Sequence, residues 1–348
     1  MAHKPAIDTK PPWLGRREFL RGLAAAAATL AAGPLLRPLM LPTEVWAAPA
    51  SASPLVHVAR AGSYDLDLRQ PILAALEELG VARHLRGKNV VLKPNLVEPH
   101  AGDAPINTHP EVVRAAARAF LALGAGSVVV AEGAGHIRDP HDVLEASGLG
   151  DVLRQERLRF VDLNTAPFAT LANPTRLSGL KNITLPRLLL EADLVVSLAK
   201  MKTHHWAGVT LSMKNLFGTL PGSVYGWPKN ALHMAGIHAC CVDITATLAP
   251  NLAIVDGIVG MEGDGPIMGQ PVKAGLLVMG TNLPAVDATC CRLMGITPER
   301  VEHLRLAAEL GLGAIAKDAI RVRGESLETA AVRFALRPDI PAQALLLK

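Results

Sequence analysis

The sequence predicts an α/β domain with a mostly parallel sheet flanked by helices, and three observations predict it. Short Val/Leu/Ile runs alternate with helical patterns through most of the chain, the signature of β-α-β construction. Nearly every run ends at once in glycine and polar residues, as strands do at the edge of an open sheet where ligands bind. Half of the residues are hydrophobic but only 3% aromatic, which suits a core of Val, Leu, Ile and Ala.

Strands are expected at residues 55–59, 89–92, 127–131, 194–198, 252–255 and 276–279. A helix over 110–123 follows Thr108 as its N-cap, with Pro110 and Glu111 in the first turn and Gly124 beyond its end. Between 151 and 187 the pattern loosens into short strands and polar turns such as Asn173-Pro174 and Ser178-Gly179, predicting a small β-rich insertion. A helix is expected to begin near Gly208 and close at Gly218, which would set Thr210 and Lys214 one turn apart. Two more are expected at 287–294 and 298–310, followed by a strand at 320–322 and a short helix from Ser326. His233 and His238 fall five apart in a further helical stretch, too far round for a metal pair, and read as structural or rim residues.

The first 50 residues are set apart from this domain. A polar stretch precedes Arg16-Arg17-Glu18-Phe19-Leu20-Arg21, an Ala/Leu run to Gly33, and small residues at Ala48-Pro49-Ala50. Charged, apolar and cleavable in that order, the segment resembles a twin-arginine signal peptide with its linker. The partner it implies is the twin-arginine translocase, and the address is periplasmic or extracytoplasmic. The apolar run is too short and alanine-rich to span a bilayer, so no membrane span is expected after cleavage. Residues 51–348 are then one α/β domain, with a core at about 55–313 and a C-terminal extension over 314–348.

The leader holds six of the 35 Lys/Arg and three of the 31 Asp/Glu, which leaves the rest of the chain a net charge of +1. With so few aromatic residues and so little net charge, a nucleic-acid partner is not expected. The four cysteines form two vicinal pairs, Cys240-Cys241 and Cys290-Cys291, without the Cys-x2-Cys spacing of zinc or iron–sulfur sites. They read as small buried side chains, with a disulfide between the pairs as the alternative.

Function is read from the strand ends. If the strands are parallel, Lys93-Pro94-Asn95, Glu132-Gly133, Lys200-Met201-Lys202-Thr203-His204, Asp256-Gly257 and Gly280-Thr281-Asn282 converge on one edge. Alternation in an extended segment sets Lys200, Lys202 and His204 on one side. Three potential cations facing one way repel unless an anion lies among them, so a phosphate or carboxylate ligand is expected. Asp256, Glu262 and Asp264 lie in a glycine-rich stretch and offer hard oxygen donors to a divalent metal ion, or a general base. There is no Walker loop, no Gly-x-Ser-x-Gly elbow and no Gly-x-Gly-x-x-Gly fingerprint after the first strand.

Six segments together resemble a known family. Val91-Leu92-Lys93-Pro94-Asn95-Leu96, Thr108-His109-Pro110-Glu111, Ala199-Lys200-Met201-Lys202-Thr203-His204, Lys214-Asn215-Leu216-Phe217-Gly218, Asp256-Gly257 with Glu262-Gly263, and Ala285-Val286-Asp287-Ala288 are similar, in order, to the domain-of-unknown-function 362 family over residues 55–313. Some members carry a ferredoxin-like cluster segment. The cysteines it needs are missing here, and no iron–sulfur cluster is expected.

The expected function is an enzyme acting on a small anionic substrate, by isomerisation, hydrolysis or transfer. Lys93, Lys200, Lys202 and Lys214 hold the anion, Asn95 and Asn215 orient it, and His204, Asp256 and Glu262 are the candidate catalytic groups. The alternative is a non-catalytic periplasmic binding or redox-partner module that uses the same cleft. An enzyme loses turnover on Glu262→Gln while binding persists, whereas a binder has no turnover to lose.

Overall fold

The computed structural model describes residues 53–100, 104–135, 139–250 and 252–347, and these fall in one compact unit. The expected twin-arginine leader over 1–50 lies outside the described residues.

The elements run β1 (Leu55–Arg60), α1 (Arg69–Glu78), β2 (Asn89–Pro94), α2 (Pro110–Ala122), β3 (Ser127–Glu132), α3 (Pro140–Ala146), α4 (Leu149–Glu156), β4 (Arg159–Asp162), β5 (Phe168–Ala172) and β6 (Asn182–Pro186). They continue as α5 (Arg187–Glu191), β7 (Leu194–His204), β8 (Gly208–Thr210), α6 (Ser212–Asn215), α7 (Gly222–Tyr225), α8 (Asn230–Met234), α9 (Ile237–Leu248), β9 (Leu252–Glu262), β10 (Gln270–Val272) and β11 (Leu276–Gly280). The last are α10 (Leu283–Leu293), α11 (Glu302–Glu309), β12 (Arg321–Gly324), α12 (Leu327–Ala330) and α13 (Pro341–Leu347).

The main sheet has the order β12-β1-β11-β9-β7-β2-β3-β4, with β10 added beside β9 and β8 beside β7. From β9 to β4 all neighbours are parallel, as the alternating pattern predicted. The strands are apolar on both faces because helices cover both. Val90, Leu92, Leu194, Val196 and Leu198 pack in one layer with α1 and α2, whereas Val91, Val195 and Ala199 pack in the other with α9 and α10.

Several expectations are corrected. β11 runs antiparallel to both β9 and β1, so Gly280-Thr281-Asn282 leaves the sheet at the opposite edge from the other polar strand ends. Asn282 is instead the N-cap of α10, accepting from Ala285 N. Asp287 therefore lies inside that helix rather than at its start, and its carboxylate accepts from Ser212 N, Ser212 Oγ and Met213 N at the first turn of α6. The N-cap of α2 is His109, not Thr108. Thr108 Oγ1 accepts from Asn95 N and donates to Leu198 O, tying the α2 entry to the ends of β2 and β7.

Of the insertion over 151–187, β5 and β6 form a separate two-stranded antiparallel sheet, while β4 is the edge of the main one. All four cysteines are buried and free, so the disulfide alternative falls. Helix 298–310 is shorter than expected, with a 3-10 turn at Pro298–Arg300 ahead of α11. His233 and His238 sit in different helices, α8 and α9, broken at Gly236. Beyond 313, β12 joins the sheet parallel to β1, and Gln343 Nε2 donates to Gly263 O.

The largest departure sets the site. β7 does not stop at 198 but continues through the whole Lys-Met-Lys-Thr-His run to His204, buried throughout. The expected helix start at Gly208 is β8, which pairs Lys202 with Thr210 and His204 with Gly208 in antiparallel register. Only Ser212–Asn215 is α-helical, and a 3-10 turn over Leu216–Thr219 follows it. A polar run reads as loop from sequence because charged side chains are rarely buried; here a second strand satisfies its backbone, and each buried amine finds acceptors.

Candidate functional site

Two cavities flank the end of β7. One, of about 370 Å³, is enclosed by the ends of β2 and β3, the tail of β7, and the turn from β8 through α6 to α8. Among the described residues, Lys93, Lys202, Lys214 and Lys229 line it together with a single carboxylate, Glu132. The other, about 630 Å³, has Tyr64, His109 and Lys200 in its wall.

Lys93 is fully buried and uses all three ammonium protons, on Glu132 Oε2 (2.5 Å), Pro94 O (2.8 Å) and Asn215 Oδ1 (3.0 Å). Burial lowers its pKa, and Glu132 works against that shift. Glu132, 2% exposed, also accepts from Leu96 N and Gly133 N. Asn215 is equally committed, its Nδ2 donating to Lys93 O and Ser197 Oγ. These three residues therefore lock β2, β3 and α6 together, and Lys93 has no proton left for a ligand, nor has the Asn215 amide nitrogen. Gly218 closes the knot: a Cβ there would run into the Glu132 carboxylate and come within 2.7 Å of Lys93 Nζ.

Lys200 is neutralised in the same way. It donates to Asp256 Oδ2 and Tyr64 Oη, both at 2.8 Å. Asp256 also accepts from Tyr64 Oη, His109 N and Ile258 N, so its oxygens are filled. Burial first, then Asp256, drives the Tyr64 phenol far above its ordinary range, and its ring stacks on His109 with centroids 3.6 Å apart. Alternation placed Lys200, Lys202 and His204 together, but β7 and β9 shift register between Lys200 and Lys202, and Lys200 faces the larger cavity.

Lys202 and Lys214 are different. Lys202 is fully buried, and its amine donates only to backbone carbonyls, Ile106 O (2.7 Å) and Pro266 O (3.2 Å). Lys214 Nζ lies 4.0 Å from the centroid of Phe217. Among the described residues neither has a carboxylate within ion-pair distance. Burial is the main cause lowering both pKa values, and neighbouring lysines add to it. Lys229, bound to Gly133 O and Asn164 Oδ1, is lowered to about 8 by burial.

Two polar atoms of this cavity are buried with no hydrogen-bond partner, Asn95 Oδ1 and Thr210 Oγ1. An orphaned buried acceptor costs about 1–3 kcal/mol and is a vacancy for a donor. Three histidines also line it, His204, His205 and His233, and the first and last hold opposite tautomers. His204 Nδ1 accepts from Trp206 N (3.0 Å) and Ala207 N (3.2 Å), so its proton sits on Nε2. His233 Nδ1 meets Lys229 O at 3.1 Å and must carry its proton there, leaving Nε2 an acceptor. Burial, reinforced by Lys214, lowers both pKa values. His204 is thus a neutral Nε2–H donor near pH 7.

The carboxylates proposed for a metal do not share a site. Asp256 is held in its ion pair, Glu262 Oε2 accepts from Ala335 N, and Asp264 lies 3.9 Å from His205. Among the described residues no three His, Cys, Asp or Glu side chains are grouped to hold a metal ion. The donor set Asp256, Glu262 and Asp264 therefore does not fit one. Glu132, Lys229 and His233 were not among the site residues expected from the sequence, and His233 was read as a structural or rim residue. Glu132 was visible at a strand end, whereas Lys229 and His233 carry no motif and reach the cavity only through the chain's path over it.

The Lys93–Glu132 lock can be tested by a double-mutant cycle. Lys93→Met leaves Glu132 buried and unpaired, and is expected to cost about 3–5 kcal/mol in denaturant unfolding. Adding Glu132→Gln should recover most of that loss; a double variant as unstable as the two losses summed would show that the pair is not the lock.

The chain is 29% identical over 272 residues to a thylakoid-associated protein of Synechocystis sp., covering 76% of this chain and 81% of that one. Two solved structures resemble it more distantly, each at 14% identity. A protein from Thermotoga maritima matches with a TM-score of 0.37 over 66% of this chain, and the lactate racemase apoprotein of Thermoanaerobacterium thermosaccharolyticum with 0.43 over 71%. The chain spans 59% of the length of each of those structures. Among the described residues no helix is long and apolar enough to cross a membrane. The model of the domain-of-unknown-function family DUF362 matches residues 90–292, more than half of the chain and nearly every element around the smaller cavity, and the protein belongs to that family.

Proposed function

We propose that this protein is an enzyme that binds a small carboxylate- or phosphate-bearing substrate in the 370 Å³ cavity and moves a proton on it. The observation that carries the reading is Lys202 and Lys214, two lysines beside one cavity with no carboxylate partner among the described residues. Buried cations of one sign are costly unless an anion is present. A substrate oxyanion supplies that charge, and a substrate hydroxyl or amino group supplies the donor that Asn95 Oδ1 lacks. His204 and His233 favour an enzyme over a binding module, because a donor Nε2–H and an acceptor Nε2 beside one cavity form an acid–base pair. Lys93 and Asn215 support the walls, and Lys200 with Asp256 braces the adjoining cavity. The twin-arginine motif at Arg16 and Arg17 supports export, which we take as part of the reading.

The test uses inorganic sulfate, which does not titrate near neutral pH, followed by a panel of phosphorylated and carboxylated metabolites assayed in deuterated water. In the empty site the lysine pKa values are depressed, so sulfate binds most tightly at low pH. Its affinity should fall as pH rises through those values, with Lys229 at about 8 marking the window. Each proton taken up gives up to a tenfold weakening per pH unit. Lys202→Met should abolish sulfate binding, while His233→Asn should keep substrate binding and lose deuterium exchange. Sulfate affinity independent of pH and of Lys202 would refute the anion site.

A further inference from the structure

The cavity that holds the lysines is not polar throughout. Leu96, Val97, Phe217, Pro228 and Ile267 also line it, so apolar surface stands beside the cations. At the mouth stands Trp206, 57% exposed, its indole edge-on to His205 (4.6 Å) and His233 (5.2 Å). The residues that follow His233 and Ile267 in the chain are Met234, 88% exposed, and Met268, 73% exposed. Single exposed apolar residues are ordinary. Here an exposed tryptophan lines the cavity, and an exposed methionine follows each of two lining residues, His233 and Ile267.

We infer that the substrate is an anionic amphiphile: a carboxylate or phosphate head held by Lys202 and Lys214, and an apolar group that leaves the cavity past Trp206. This rests on the anion site proposed above and names its substrate class. The floor and the walls fit the two halves of such a molecule. A carboxylate or phosphate offers the charge that the lysines lack, and the apolar walls gain only from a ligand that displaces water from them. Trp206 and Phe217 supply broad, stiff surfaces at low entropic cost, and the unbranched methionines Met234 and Met268 adapt to chains of different shape.

The experiment is a chain-length series of straight-chain carboxylates from acetate to decanoate, kept below micelle-forming concentrations and measured by calorimetry beside inorganic sulfate. Affinity is expected to rise about fourfold per added methylene while the chain runs along the apolar walls. In a Trp206→Ala/Met268→Ser variant the rise per methylene should fall below about twofold, with a far-UV spectrum and unfolding midpoint close to wild type as the control for folding. Sulfate and acetate bound with no gain from longer chains would overturn the amphiphile while leaving the anion site standing. Binding of neither sulfate nor any carboxylate would overturn both. A chain-length gain that survives in the double variant would remove Trp206 and Met268 from the tail's path and overturn the route proposed here.

Discussion

Buried positive charge is the constraint on which the rest of this structure depends. Lys93, Lys200, Lys202 and Lys229 are all buried at the carboxyl edge of one sheet, with Lys214 beside them, and Glu132 and Asp256 are the carboxylates paired among them. Each unpaired ammonium withdrawn from water is expensive. The fold meets the cost first with ion pairs, at Lys93–Glu132 and Lys200–Asp256, and then with backbone carbonyls at Lys202 and Lys229. What remains, among the described residues, is a deficit of negative charge at one cavity, where burial first and neighbouring lysines second depress the pKa values of Lys202 and Lys214.

The architecture serves that arrangement. A parallel sheet brings the ends of β2, β3, β7 and β9 to one edge, but strand ends alone are separated by the spacing between strands. Two devices close the gap. β7 overruns the sheet and is paired by β8, which carries Lys202 and His204 past the edge inside regular backbone. The chain then turns through α6 and α8 over the opening, bringing Lys214, Lys229 and His233 down on it. Gly218 allows the 3-10 turn after α6 to approach Glu132 without a side chain between them, so a glycine of the Lys-Asn-Leu-Phe-Gly motif is explained by contact.

The central strands were legible because hydrophobic alternation is a local property, and the starts of all six central strands were read where they lie. The direction of β11 was not, since a strand's orientation depends on the path before it and leaves no mark on five apolar residues. Lys202, Lys214, Asn95 and His204 were found from motif and strand position, and they do share one cavity. Charge alone did not separate Lys202 and Lys214 from Lys93 and Lys200, because the partners that neutralise the latter pair, Glu132 and Asp256, come from other strands. The acidic stretch misled for a related reason. Its carboxylates are close in sequence, but Asp256, Glu262 and Asp264 turn to Lys200, the Ala335 backbone and solvent near His205.

The account stands on one claim, that the smaller cavity is short of negative charge and that an oxyanion makes up the deficit. Calorimetry of sulfate binding in buffers of different ionisation enthalpy measures this directly, because the protons exchanged on binding appear as the slope of observed heat against buffer enthalpy. At pH 8, near the value of about 8 to which burial lowers Lys229 and with Lys202 and Lys214 also depressed, the account predicts net proton uptake as sulfate restores the ammonium forms. Sulfate that binds with no uptake, or with proton release, would contradict it.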